Sequence, residues 1–396
     1  MAQNKSYRFD TLAIHGGSQG KNPHNAVNPP IFMSSTFEFN DLDHAEDVFS
    51  FVSSDYVYTR GNNPTLRLFE NKMTLLEGGE GAVAFASGMA AISSVLFSFL
   101  KPGDEVIVHR TVYGSSYNVV TKILPRYGVR FIFADLRNLD ALQEKVTPKT
   151  RVIYFETPAN PNLDIVDIAE ICEIAHHKGI KVVVDNTFAT PYLQKPLQLG
   201  ADVVVHSATK YISGHGDAIG GVAVAKDPDY IMKLKFEYMC EFGGVMSPFN
   251  AWLLLRGLKT LGVRMRQHQF NAMEVAQYLN KHPRVEQVFY PGLPTFKGHE
   301  IAKKQMRGFG GMLSFEIKGD LEASKKVVNS LELCKLAVSL GDAETLVEHP
   351  AAMTHRGYPK EELNTFGFTD SIIRLSIGLE DVEDIIADLE QALAKI

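Results

Sequence analysis

Cysteine is scarce in this 396-residue chain: Cys172, Cys240 and Cys334 are the three, far apart and without a CxxC pair. That spacing argues against a disulfide framework and against a structural zinc site. Basic blocks are missing too, and 40 Lys and Arg against 46 Asp and Glu leave a net charge of -6. A nucleic-acid partner is therefore not expected. No uninterrupted apolar run reaches the ~18 residues of a membrane span, and the opening MAQNKSYRFD has no apolar signal core. No membrane partner is expected, and the chain reads as a cytoplasmic protein. His176, His177, His215, His349 and His355 form no HExxH pattern, so no metal is expected. What the chain does have is 45% hydrophobic residues, enough for two or three structural units on a prior of ~150 residues each.

Residues 1–61 are rich in Asn, Pro, Ser and aromatics and lack sustained periodicity. Such a segment makes a poor core and a good arm on another surface. Leu66, Phe69, Met73 and Leu76 then recur at helical spacing up to Gly78 and Gly79, which predicts a helix. From Gly81 the runs AVAF, EVIVH, VRFIFADL, RVIYFE, KVVVD and DVVVHS alternate with helix-like stretches such as LDALQEKV and DIAEICEIAHHKG. Repeated strand and helix with strands of buried type predict an α/β fold with a mainly parallel sheet covered on both faces. Residues 247–283 read as nearly all helical, a long connection into a smaller C-terminal α/β unit. There VEQVF, GMLSFEI and IIRLS read as strands, and a last helix is expected to end on Lys395, where its charge suits the helix dipole. The expected units are 1–61, 62–255 and 256–396.

The chemistry gathers at strand ends. VVHSATKYISGHGDAIGG places Lys210 between hydroxyls, Ser207 and Thr209, after an apolar run and before glycines. An amine so placed is suited to condensing with a phosphorylated aldehyde cofactor. VVVDNTFATP delivers Asp185 to the end of the preceding strand, a partner for a protonated pyridine nitrogen, although a turn or capping role is the alternative. In AFASGMAAISS a strand turns into a helix at Gly88 and Met89, whose backbone N–H groups could hold an anion. A buried packing turn explains SGM as well. Tyr113 stands at another strand exit. Arg374 interrupts the apolar strand IIRLSIG, where a buried guanidinium needs an anionic partner: a substrate carboxylate, or an internal carboxylate side chain.

Together VVHSATKYISGHGD, YTRGNNPT, SGMAAISS, ETPANPN, VDNTFATPYLQKPL and LGDAETLVEHPAAMTH resemble the γ-family of pyridoxal-phosphate enzymes of sulfur amino-acid metabolism. The likeness runs from IHGG to the closing helix. It implies the aspartate-aminotransferase-like fold of type I, pyridoxal 5'-phosphate as cofactor, and a homotetramer of tight dimers with shared sites. By that resemblance Lys210 carries the cofactor, Asp185 meets its ring nitrogen, and Ser207, Thr209, Gly88 and Met89 hold its phosphate. Tyr58 and Arg60 of the arm would complete the neighbouring subunit's phosphate site. Tyr113 would stack on the ring and assist the leaving group, and Arg374, Ser339 and Asn160 would fix the substrate carboxylate.

The resemblance implies α,γ-elimination of L-methionine, with O-acetylhomoserine sulfhydrylation or cystathionine cleavage as the alternatives. Three places bear on substrate choice. Methionine-cleaving members commonly carry a cysteine where this chain has Ser115, and a lysine and an aspartate near Met239 and Cys240. Val338 occupies a position where cystathionine-using relatives tend to carry a glutamate able to meet a distal ammonium. The different-class alternative, a nucleotide-dependent dehydrogenase, would need a GxGxxG turn after a first strand. The glycines of SGHGDAIGG miss that spacing and come late in the chain.

Overall fold

Apolar strands with valine on both faces need cover on both sides, and the computed structural model, which describes residues 7–18, 20–354 and 369–396, supplies it. The strands of the larger sheet are β1 Gly81–Phe85, β2 Glu105–His109, β3 Arg130–Ala134, β4 Thr150–Glu156, β5 Lys181–Asp185, β6 Val203–Ser207 and β7 Gly221–Ala225. They lie in the order β1-β7-β6-β5-β4-β2-β3. Strands β3, β2, β4, β5 and β6 run parallel, and β7 is antiparallel to both β6 and β1. Alternate residues feed two cores. Val182, Val184 and Val204 face the layer containing the helix Pro64–Glu77, whereas Val183, Val203 and Val205 face the layer containing the helix Gly88–Phe99. Each fully buried valine contributes roughly 1.5–3 kcal/mol of transfer free energy.

The helix Pro64–Glu77 starts where Asn63 accepts the Thr65 N–H, and it stops at Gly78, whose φ of 77° is left-handed. The stretch 247–283 is helical as expected, in two pieces: Pro248–Leu258 and Leu261–Leu279, with Lys259 and Thr260 between them. The smaller sheet comprises β8 Val285–Phe289, β9 Met312–Ile317, β10 Lys335–Leu336, β11 Leu346–Glu348 and β12 Ile372–Ser376, in the order β10-β11-β12-β9-β8. The last helix, Val382–Leu393, is capped by Asp381 and has Glu383 and Asp384 in its first turn. Its last turn carries no basic residue. Lys395 lies beyond the helix end, so the expected dipole contribution of that lysine is corrected.

Three strands escape the sequence reading. The GVAVA of β7 is alanine-rich and follows a glycine-rich turn, and the two- and three-residue β10 and β11 are too short to show a period. Among the described residues, no helix is long and apolar enough to cross a membrane.

Candidate active site

The parallel strands end on one side of the larger sheet, and β4, β5 and β6 there deliver Glu156, Asp185 and Ser207. A cavity of about 240 Å³ opens at these ends and is lined by Gly88, Met89, Tyr113, Asp185, Ser207 and Thr209. Asn160, Lys210, Ser339 and Arg374 close its other walls. Ten of the residues expected at the site thus share one hollow, contributed by both sheets and the turns between them.

Lys210 sits in the turn after β6, and its Nζ donates to Ser339 Oγ at 3.0 Å. Burial, and secondarily the positive charge of Arg374, hold its ammonium below the ordinary lysine value. Asp185 ends β5 in register with Glu156 of β4. Its Oδ1 accepts the Thr187 N–H at 2.9 Å, and Thr187 Oγ1 in turn accepts the Ser207 N–H at 2.9 Å. Burial pushes the Asp185 carboxyl up, and burial together with the Asp185 charge pushes Glu156 well up. Two adjacent buried acids without a cation are an unfavourable arrangement, and a cationic ring nitrogen at Asp185 would relieve it.

Anion-binding capacity lies opposite. The helix Gly88–Phe99 is capped by Ser87, whose hydroxyl accepts the Ala90 N–H at 3.1 Å. The N–H groups of Gly88 and Met89 belong to the first turn, which has no intrahelical acceptor to offer them. A Cβ on Gly88 would come within 2.8 Å of Ser207 Cβ, and one on Gly221 within 2.1 Å of the Ser87 carbonyl oxygen. Both glycines are needed so that the helix end can lie directly against β6 and β7. Thr209 is differently engaged from Ser207. Its Oγ1 accepts the Gly220 N–H at 3.0 Å and donates to the Gly220 carbonyl at 3.2 Å, so its proton reaches an anion only if that second bond is exchanged.

At the opposite wall Arg374 is 3% exposed. Its Nη1 donates to Asn160 Oδ1 at 2.9 Å and its Nη2 to the Ser339 carbonyl at 2.9 Å. Nη1 also pairs with Glu348 Oε1 at 2.9 Å, and Nε is buried without a partner. The internal carboxylate weighed for this arginine is therefore present, with two N–H groups left over, one on Nε and one on Nη2. Tyr113 is 38% exposed, and its backbone N–H donates to Glu156 Oε1 at 2.7 Å.

Three expected residues do not line this cavity. Ser115 lies in the short helix Gly114–Asn118, and Tyr58 and Arg60 line a separate hollow of about 1040 Å³ under the arm. There Arg60 Nη1 donates to the Cys240 carbonyl at 3.5 Å, and Cys240 Sγ donates to the Arg60 carbonyl at 3.4 Å. Met239 is buried beside Cys240. His355 lies outside the described residues. Conversely, Ser87, Glu156, Thr187 and Glu348 line the cavity without having been singled out. Glu156 closes an apolar strand just as Asp185 does, a signal the sequence offered. Thr187 and Ser87 act on the backbone, their hydroxyls accepting the Ser207 and Ala90 N–H groups.

The profile described as Cys/Met metabolism PLP-dependent enzyme matches residues 10–394. The chain belongs to this family. Relatives in the family include the L-methionine gamma-lyase of Fusobacterium nucleatum subsp. polymorphum, 51% identical over 100% of both chains. The L-methionine gamma-lyase of Porphyromonas gingivalis is 48% identical, over 97% of this chain and 96% of its own length. Among solved structures, cystathionine gamma-lyase from Lactobacillus plantarum complexed with L-serine superposes with a TM-score of 0.92 at 41% identity, covering 98% of this chain and 99% of that one. The type I pyridoxal-phosphate fold and the cofactor follow from this membership. The donor set fits the group: a helix N-terminus and the Ser207 hydroxyl for a phosphate, an amine for an aldehyde, and a buried carboxyl for a ring nitrogen.

Proposed function

We propose that the protein catalyses α,γ-elimination of L-methionine, converting L-methionine and water to methanethiol, 2-oxobutanoate and ammonia. The observation that carries this reading is the double use of Ser339, whose hydroxyl holds the Lys210 amine while its carbonyl holds the Arg374 guanidinium. An amino acid with its carboxylate on Arg374 would have its α-carbon near a basic amine. The full-length likeness to two proteins named L-methionine gamma-lyase supports the choice of methionine.

Pyridoxal phosphate, when bound, supplies a cationic conjugated ring that takes up the electron pairs released at Cα and Cβ. Each residue then has a task. Lys210 Nζ would take the proton from Cα, pass it on to the electron-rich conjugated system so that the amine is neutral again, and then remove one from Cβ, since its depressed pKa leaves it neutral more readily than an ordinary lysine. Tyr113 Oη gives a proton to the γ-sulfur, because a thiol leaves more readily than a thiolate. Arg374 with Asn160 and Ser339 orients the carboxylate. Ser207, Gly88 and Met89, with Thr209 after exchange, hold the phosphate by charge-assisted hydrogen bonds of roughly 1.5–3 kcal/mol each.

The resemblance further supports a cytoplasmic homotetramer in which Tyr58 and Arg60 of the arm, 1–61, complete the site of a neighbouring subunit. Units 62–255 and 256–396 would supply the cofactor seat and the substrate wall. Exposed apolar residues on the arm, among them Val27 at 95% and Met33 at 66%, favour such a covered surface.

Cystathionine is the second reading, favoured by the likeness to a cystathionine gamma-lyase. Val338 speaks against it, because this residue at the cavity gives a distal ammonium no negative partner. The deciding experiment offers the holoenzyme L-methionine, cystathionine, or O-acetylhomoserine with sulfide, and quantifies 2-oxobutanoate, thiol and homocysteine. Methanethiol and 2-oxobutanoate in equal amounts from methionine are expected. Rapid homocysteine synthesis with negligible methionine cleavage would overturn the assignment.

A further inference from the structure

Glu348 is 1% exposed and ends β11 directly opposite Arg374 of β12 in the sheet register. One of its oxygens, Oε1, does two things: it pairs with Arg374 Nη1 at 2.9 Å and accepts the Thr354 hydroxyl at 2.9 Å. Glu348, Thr354 and Arg374 all face the cavity. The far side of this arrangement is closed as well, because the Thr354 carbonyl lies 2.3 Å from where a Cβ on Gly114 would stand. A side chain larger than hydrogen at Gly114, next to Tyr113, would push this turn away.

A free guanidinium can turn about several bonds and present any of its five N–H groups. Here three acceptors, Asn160 Oδ1, Glu348 Oε1 and the Ser339 carbonyl, occupy both terminal nitrogens. Nε is buried without a partner, and Nη2 has a second N–H beyond the one given to Ser339. The carboxylate of Glu348 also cancels much of the positive charge that would otherwise draw in an anion, so its presence beside an anion anchor has to be explained by geometry rather than by charge. We propose that Glu348 is a positioning residue for carboxylate recognition: seated by Thr354, it fixes the plane of Arg374 and directs its remaining N–H groups toward the cavity. The substrate class selected is an amino acid with a free α-carboxylate. This rests on the reading of Arg374 as the carboxylate anchor.

The test uses holoenzyme and two unreactive probes, L-norleucine, which has a methylene in place of sulfur and no leaving group, and L-norleucine amide, which lacks the carboxylate charge. Dissociation constants are read from the absorbance of the bound cofactor. Wild-type enzyme is expected to prefer the acid on the order of 10- to 100-fold, the range of a charge-assisted hydrogen bond. Glu348→Ala, which removes the acceptor, and Glu348→Asp, which keeps the charge but shortens the reach, are expected to lower this ratio roughly tenfold with amide affinity nearly unchanged. Glu348→Gln keeps an oxygen for both donors and is expected to hold the ratio at or above wild type. Should the Ala variant fail to fold, the Asp variant decides. An unchanged ratio in Ala or Asp, or a fall in Gln equal to theirs, overturns the positioning role. Absence of any acid preference in wild type overturns the reading of Arg374, and the role of Glu348 with it.

Discussion

At the scale of single residues, Lys210 shows how placement changes an amine. Burial first and the Arg374 charge second hold its ammonium below the ordinary lysine value of 10.5. A lowered pKa enlarges the neutral, nucleophilic fraction at every pH beneath that value. Borohydride-fixed uptake of cofactor by the apoenzyme is therefore expected to rise with pH to a midpoint below 10.5, with the label mapping to Lys210. A midpoint at the ordinary value, or a label on a different lysine, would contradict this. Lys210 and Asp185 were legible in the sequence because each follows an apolar strand and brings the charge that a cofactor atom requires. Glu348 was not, since its meaning depends on lying opposite Arg374 across β11 and β12, a pairing of distant segments that periodicity does not report. The same pairing shows that the two readings of Arg374, internal ion pair and substrate anchor, are compatible.

At the scale of elements, the site depends on how closely the helix Gly88–Phe99 approaches the ends of β6 and β7. Gly88→Ala would place a Cβ 2.8 Å from Ser207 Cβ and 2.9 Å from its Cα, so backbone must shift on one side or the other. The expected result is cofactor affinity weakened on the order of tenfold or more, the loss of about one charge-assisted bond. Retention of pyridoxal phosphate through dialysis, compared with unchanged far-UV circular dichroism, checks it. Wild-type retention would show that Ser207 can yield without cost. The six strands β1 to β6 were readable because buried strands are near-continuous apolar runs. In β7, Gly221 is demanded by the Ser87 carbonyl, so a strand residue looks like a turn residue. That is why the segment reads as a glycine-rich loop.

At the scale of the whole molecule, Tyr58 and Arg60 lie in a hollow apart from Lys210, and the proposed assembly gives them a site to complete. Arg60→Ala is expected to loosen cofactor binding, and Lys210→Ala to abolish turnover with the fold intact. Mixed dimers of the two variants should regain part of the activity, since one of their two sites would have both residues whole. The measurement is turnover after separate purification and subunit exchange, and no recovery in verified mixed dimers would count against shared sites.

Asn160 belongs to the segment following β4 of the larger sheet, Arg374 to β12 of the smaller, and their 2.9 Å hydrogen bond stitches the two together at the wall of the cavity. The proposed cofactor seat and carboxylate anchor thus lie on different sheets, joined at the cavity by this bond and by that of Lys210 to Ser339. Changes in β11 and β12 are therefore expected to retune which acid is accepted while sparing the machinery that holds the vitamin, whereas a change at Ser339 would reach both, since its hydroxyl also holds Lys210.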